Sequence, residues 1–396
     1  MACSARMVRR IAVNTGGGDA PGLNAVIRAV TISALGRGWE VLGIRHGYSG
    51  LLEGPEGVVQ LDRDGVRGIH HLGGTILGTA NRGDPFHYPE RRGDEWVPTD
   101  ASARVIQRVR ELGIEALVAI GGDGSIALAA KLLERGLPRV MAVPKTIDND
   151  LPGTEITFGF DTAVATATDA IDKLHTTAQA HERVMVVEVM GRYAGWIALY
   201  SGLAGGADVV LIPEIPFDIE RVCDKIRWRE SMGRHFAIVV VAEGATAKGG
   251  ERIFKSAPTA FKEHGQLGGI AEVVAREVEA RTGKEARSLV LGHLQRGGSP
   301  VMSDRILALQ LGCAATRFIE ARSESGLVAV RQGAIELVPL EEGTRRLRTV
   351  PPDHAALETA RDIGLCFGDE PPGAFAPASG SAPPSRPPLS SRRGPG

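Results

Sequence analysis

A chain of 396 residues, 43% hydrophobic and 23% charged, has material for a large core and for two domains or lobes. Its formal net charge of -1 and pI near 6.8 exclude the whole-chain electrostatics of a nucleic-acid or anionic-membrane partner, so any phosphate site must be local. Cys3, Cys223, Cys313 and Cys366 lie far apart with no Cys-x-x-Cys pair, which argues against a disulfide framework or a zinc site and for a reducing, cytoplasmic setting.

In chain order, residues 1–7 read as an N-terminal extension, too short and basic for a signal peptide, with Met7 as an alternative start. A β-branched run over 8–14 stops at Thr15-Gly-Gly-Gly-Asp-Ala-Pro-Gly22, and helical spacing follows over 24–35, predicting strand, glycine loop and helix. Strands at 40–44, 116–120 and 139–143 alternate with helices at 103–111 and 125–135. After a long helix over 162–179 the pattern restarts, with strands at 184–189, 209–212, 235–242 and 288–291 and helices ending at 204 and spanning 219–232 and 269–282. The spacing predicts an α/β fold of two doubly wound Rossmann-like lobes, mostly parallel, with the active site between them at the carboxyl ends of strands. The expected divisions are a donor-side lobe at 8–160, a second lobe at 161–312 and a C-terminal segment at 313–370 packing on both. Residues 244–269 read as an insertion or mobile loop, and 371–396, rich in Pro, Gly, Ser and Arg, as a disordered tail.

Two loops carry the chemistry. Gly121-Gly-Asp-Gly-Ser125, including Gly122, Gly124 and Ser125, lies between a strand and a helix N-terminus, where free amides and the helix dipole favour phosphate. Asp123 there suits Mg²⁺, or else caps the helix in an ordinary tight turn. Pro144-Lys-Thr-Ile-Asp-Asn-Asp150 sets two carboxylates two residues apart, one suited to take a proton from an alcohol; the plain alternative is a polar turn closed by Leu151-Pro152. Arg183, Arg192 and the set Arg287, His293 and Arg296 add cations at or beside strand ends, the chemistry of an anionic substrate. Glu243 is a candidate acceptor for a sugar hydroxyl, with capping or ion pairing as the alternative.

These residues resemble the phosphofructokinase family from about 8 to 312. Gly-Gly-Asp-Ala-Pro-Gly at 17–22, Gly-Gly-Asp-Gly-Ser at 121–125, Thr-Ile-Asp-Asn-Asp at 146–150, Val-Met-Gly-Arg at 189–192 and His-Leu-Gln-Arg-Gly-Gly-Ser-Pro at 293–300 stand in the family's order. The resemblance implies phosphoryl transfer to the 1-hydroxyl of fructose 6-phosphate, giving fructose 1,6-bisphosphate in glycolysis. It implies Asp148 as base, flanked by Thr146 and Asp150, with Asp123 holding Mg²⁺ and Gly18 beneath the donor phosphates. Arg82 falls near the family's donor-phosphate arginine, although Asn81-Arg-Gly-Asp departs from the usual pattern. Met190, Gly191, Arg192, Glu243, Arg287, His293 and Arg296 match the sugar-phosphate site, and Arg183 matches an arginine that reaches a neighbouring subunit, implying a homodimer or homotetramer with shared sites.

Two positions bear on the donor. Gly124 leaves room for a nucleotide, where pyrophosphate enzymes of the family carry Asp, whereas Lys145 resembles the pyrophosphate and mixed-substrate long-chain branch. Steric room acts directly on whether a nucleotide fits, so ATP is the expected donor and pyrophosphate the alternative. Ile32, His175 and Met232 replace basic residues of the family's regulatory pocket, although Arg28 and Arg234 remain, so weak or absent control by ADP or phosphoenolpyruvate is expected. Two rivals are a diacylglycerol- or NAD-kinase-like enzyme, which shares only the Gly-Gly-Asp-Gly loop, and a silent sugar-phosphate-binding subunit, which has no need of Asp123, Asp148 and Asp150.

Overall fold

The computed structural model describes residues 8–80, 83–256 and 266–375. The first half of the chain forms β1 (Arg10–Thr15), α1 (Leu23–Leu35), β2 (Glu40–Ile44), β3 (Val58–Leu61), β4 (Tyr88–Arg92), β5 (Glu95–Thr99), α2 (Ser102–Glu111), β6 (Ala116–Gly121), α3 (Asp123–Glu134) and β7 (Arg139–Pro144). There follow α4 (Phe160–His181), β8 (Val184–Val189), α5 (Trp196–Ala204), β9 (Val209–Leu211), α6 (Ile219–Ser231), β10 (Ala237–Ala242), β11 (Phe254–Ser256), β12 (Gln266–Leu267), α7 (Ile270–Thr282) and β13 (Ala286–Val290). The chain continues through α8 (Met302–Ala321), β14 (Gly326–Arg331), β15 (Ala334–Val338) and α9 (Ala355–Asp362).

Two sheets carry the molecule. The larger runs β15-β14-β7-β6-β1-β2-β3, with its edge pairs β14–β15 and β2–β3 antiparallel and the pairs between them parallel; the smaller, β13-β8-β10-β9, is parallel throughout. Interior strands such as β6 and β10 are buried along their whole length, as parallel strands covered on both faces must be, and this is why they read as continuous apolar runs. The expected α/β class with two mostly parallel sheets is what the chain adopts.

Several elements depart from the sequence expectation. The hairpin β4–β5 sets Pro89 opposite Pro98, and two prolines normally demote a segment from strand; they are tolerated because this hairpin is a separate two-stranded ribbon outside both sheets. The C-terminal segment is woven into the larger sheet, β14 pairing with β7. Within 244–269, β11 pairs with β12, while 257–265 lie outside the described residues. Phe375, assigned to the tail, packs on Trp228 with ring centroids 6.1 Å apart; residues 376–396 and the extension 1–7 lie outside the described residues. No helix among the described residues is long and apolar enough to cross a membrane.

Candidate active site

Strands β1, β6 and β7 lie side by side and parallel, with Thr15 opposite Ile120 and Gly121 opposite Pro144, so the loops that follow them open on one edge of the sheet. The chain goes from β1 to β2 on one side and later to β6 on the other, making this edge a topological switch point, where open α/β sheets bind ligands. The loops are hooked together: the Gly16 N–H donates to Ile120 O and the Lys145 N–H to Gly121 O, each at 2.9 Å. Ser125 packs beneath them, and a Cβ on Gly121 would lie 2.2 Å from Ser125 Cβ, so close packing requires that glycine. Gly124 is different. A Cβ there would meet nothing within 4 Å, and a glycine inside a helix costs about 1 kcal/mol against alanine, so protein packing gives no reason for it.

Asp123 opens α3, but the N-cap is Gly122 and no side chain caps the helix. The capping alternative therefore fails. The exposed Asp123 carboxylate stands instead at the positive end of α3, near enough to Asp148 and Asp150 to raise the pKa of each.

In the next loop Asn149 adopts a left-handed φ of 51°, a conformation asparagine tolerates, and its Oδ1 accepts the Thr157 N–H at 3.1 Å. The loop is no solvated polar turn: Asp148 and Asp150 are 5% and 8% exposed, and Asp148 Oδ1 is buried without a hydrogen-bond partner. Thr146 Oγ1 accepts the Asp148 N–H at 3.0 Å and donates to Asp150 Oδ1 at 3.3 Å. Burial pushes the Asp148 pKa up against the opposing pull of Arg296, Arg192 and Lys145. Burial, then Asp148 and Asp123, pushes Asp150 up to about 7. Lys145 is buried beside them with its Nζ donating to Gly18 O; burial and then Arg296 pull it down to about 8, although Asp148 and Asp19 favour its charge.

The smaller sheet faces this edge with its own strand ends. Val189 of β8 lies opposite Ala242 of β10, so the turn Met190-Gly191-Arg192 and Glu243 emerge together. Gly191 has φ 139° and a Cβ there would meet Ala194 O at 2.5 Å; Arg192 follows at φ 49° and donates its N–H to Glu243 Oε1 at 3.1 Å. Glu243 thus pins the turn, and burial, then Asp148, pushes its pKa up to about 7. Arg296, the last residue of the 3₁₀ turn Gly292–Arg296, crosses to the first glycine loop, its Nη1 donating to Asp19 O at 2.9 Å, and a Cβ on Gly18 would stand 2.9 Å from the same nitrogen.

The structure therefore brings Gly18, Asp123, Lys145, Thr146, Asp148, Asp150, Arg192, Glu243 and Arg296 together. Arg183 and Arg287 are not with them. Both pair with Glu285, near the amino ends of β8 and β13; at ~3.3 Å per residue, Arg183 lies ~23 Å along the strand from Met190, and Arg287, level with Met185, ~17 Å from it. His293 is exposed in the 3₁₀ turn, and Arg82 lies outside the described residues. One residue without a sequence signal joins the site: Arg348, from the C-terminal segment, donates Nη2 to Asn149 O at 2.9 Å across a chain separation of 199.

Among the described residues no three His, Cys, Asp or Glu side chains converge into a protein-only metal site. Mg²⁺ is usually held by one or two carboxylates together with substrate phosphates, and Asp123 offers one exposed carboxylate at the helix N-terminus. Two carboxyls, Asp148 and Asp150, raised by burial and by the charge of Asp123, and an unpartnered buried oxygen on Asp148 are what a divalent cation at Asp123 would relieve.

A phosphofructokinase family model matches residues 10–319. An ATP-dependent 6-phosphofructokinase of Chloroflexus aurantiacus is 51% identical over 362 residues, 91% of this chain and 98% of the relative. A pyrophosphate--fructose 6-phosphate 1-phosphotransferase of Streptomyces coelicolor is 48% identical over 363 residues, 91% of this chain and all (100%) of the relative. Among solved structures, a Pichia pastoris phosphofructokinase in the T-state superposes with a TM-score of 0.73 at 32% identity, covering 87% of this chain and 36% of that longer one.

Proposed function

The chain belongs to the phosphofructokinase family, and on that premise we propose its chemistry: it is an ATP-dependent 6-phosphofructokinase of glycolysis, transferring the terminal phosphoryl group of ATP to the 1-hydroxyl of fructose 6-phosphate. The observation that carries this reading is Asp148, a buried carboxyl with a free oxygen, set at the junction of the two sheets and flanked by Lys145, Arg192 and Arg296. Asp148 accepts the hydroxyl proton as the oxygen attacks phosphorus, Thr146 orients the base through its backbone N–H, and Asp150 holds Thr146. Arg192, braced by Glu243, and Arg296 bind the sugar phosphate with Met190, Gly191 and His293. Mg²⁺, bound through Asp123 and the donor's phosphates, supplies the charge neutralisation that phosphoryl transfer needs. Gly18, Gly122, Gly124 and Ser125 form the cradle for the donor, with Arg82 as a further contact.

The unfilled space over Gly124 supports a nucleotide donor. The second reading, pyrophosphate, is favoured by Lys145, whose ammonium is buried against the Gly18 carbonyl, and by the Streptomyces coelicolor relative. Arg183 and Arg287, distant from their own chain's Asp148, act in the site of a neighbouring copy in a homodimer or homotetramer. The exposed edge strand β13, with Leu289 and Val290 38% and 43% exposed, supports such pairing. The enzyme works in the cytoplasm and needs no nucleic acid or membrane.

Asp148→Ala tests the base directly. Fructose 6-phosphate binding, followed by calorimetry, should persist while turnover with ATP falls about 10²–10⁴-fold. Turnover at the wild-type rate would reject the assignment.

A further inference from the structure

Arg348 occupies a place that the reaction scheme leaves unexplained. Its backbone N–H donates to Asp150 O at 2.7 Å and its Nη2 to Asn149 O at 2.9 Å, so one residue meets two consecutive carbonyls of the loop that carries Asp148. Its guanidinium lies over the Trp196 ring, 4.5 Å from the centroid, and its own carbonyl accepts the Trp196 Nε1–H at 2.9 Å. Trp196 opens α5, four residues after Arg192 of the Met190-Gly191-Arg192 turn. Two residues beyond Arg348, the Val350 N–H donates to Glu214 Oε1 at 2.8 Å, and the same oxygen accepts the Gly195 N–H at 2.9 Å. The chain near Arg348 is thus fastened on one side to the loop after β7 and on the other to the start of α5, which belong to different sheets.

The Asp148–Asp150 loop needs such support. Asn149 is in a left-handed conformation, and its own carbonyl and that of Asp150 are met by Arg348. A guanidinium suits the task because its planar fork can donate to a carbonyl while its face stacks on indole, a combination that an ammonium cannot reproduce.

We propose that Arg348 is a positioning residue that holds the Asp148 loop in register with the sugar-phosphate turn across the two sheets. It touches neither substrate in this scheme; it fixes how far the base stands from the hydroxyl that Arg192 and its neighbours deliver. The inference rests on the phosphofructokinase reading above.

The test uses the full chain, with Arg348→Ala and Arg348→Lys compared with wild type in fructose 6-phosphate phosphorylation. A displacement of the base by about 1 Å lowers kcat on the order of 100-fold, so Arg348→Ala should lose kcat by that order per folded protein while the KM values for both substrates move little. Arg348→Lys should fall between the two, and millimolar guanidinium ion should restore part of the Arg348→Ala kcat. If Arg348→Ala keeps the wild-type kcat per folded protein, or loses it through KM alone, or gains nothing from guanidinium, the inference is overturned. Arg348→Lys keeps the test decisive should Arg348→Ala fail to fold: a kcat equal to wild type then rejects the inference. Wild type is assayed in parallel, and its failure to phosphorylate fructose 6-phosphate would reject the phosphofructokinase reading itself, whereas active wild type beside an unimpaired Arg348 variant rejects the positioning role alone.

Discussion

At the scale of the residue, the site is a set of carboxyls that burial and mutual repulsion hold above their ordinary pKa. Asp148 and Asp150 are buried, Asp123 adds negative charge to both, and the cations Lys145, Arg192 and Arg296 offset this only in part for Asp148. A base works only when deprotonated, and a raised pKa keeps the proton on to higher pH, so activity should climb as pH rises through the range of the pair. The two carboxyls titrate together, so the apparent value belongs to the pair, not to either one. In a pH profile of kcat/KM for fructose 6-phosphate, which reports the free enzyme, the acid limb should lie well above the ordinary carboxylate value of about 4, because burial raises both carboxyls. A plateau that persists down to about pH 5 would contradict it. The residues of the two loops were legible in sequence because strand, loop and helix N-terminus are contiguous there. Arg348 was not, since its partner carbonyl stands 199 positions away in the chain. The separation of Arg287 from Arg296 was hidden for the opposite reason: they are close in sequence, yet β13 runs from one towards the other and places them apart.

At the scale of the element, strands β1, β6, β7, β8 and β10 announce themselves as apolar runs because both faces of each sheet are covered. The ribbon β4–β5 carries two prolines and few buried side chains, so period and composition both hide it. Strands β14 and β15 are hidden by distance, since β14 finds its partner β7 only after the whole second sheet has been built. Helix α4 shows how the two halves are joined. Its N-terminus starts at a left-handed Gly159 with no cap of its own, and the buried Asp304 of α8 accepts the Gly159 and Thr162 N–H groups, each at 2.8 Å, together with the Thr162 hydroxyl. Asp304→Ala would leave those donors buried and unpaired, at about 1–3 kcal/mol. Thermal unfolding should show a lower Tm for that variant, and an unchanged Tm would mean that α4 finds its donors another partner.

At the scale of the whole molecule, the proposed base Asp148 follows a strand of the larger sheet, while Arg192 and Arg296, the proposed sugar-phosphate arginines, follow strands of the smaller, so the proposed chemistry depends on how the two are held. The same division explains Arg183 and Arg287, which stand too far from their own Asp148 to serve it and are expected to serve a partner copy's site. Subunit mixing tests this. Arg183→Ala should weaken fructose 6-phosphate binding and Asp148→Ala should abolish turnover, yet a hybrid of the two contains one site with neither defect. At low fructose 6-phosphate, mixed and reassociated subunits should turn over faster than either parent alone. If the mixture shows only the average of its parents, each site is complete within one chain.

The central claim, that this site moves a phosphoryl group from ATP to fructose 6-phosphate, is tested most directly by one measurement. The purified full chain is given fructose 6-phosphate and Mg²⁺, with either ATP or pyrophosphate as donor, and formation of fructose 1,6-bisphosphate is followed through an aldolase-coupled assay. The open space over Gly124 predicts efficient turnover with ATP and a lower kcat/KM with pyrophosphate. Turnover with pyrophosphate alone would overturn the donor assignment and shift the decisive role to Lys145, and no product with either donor would contradict the whole account.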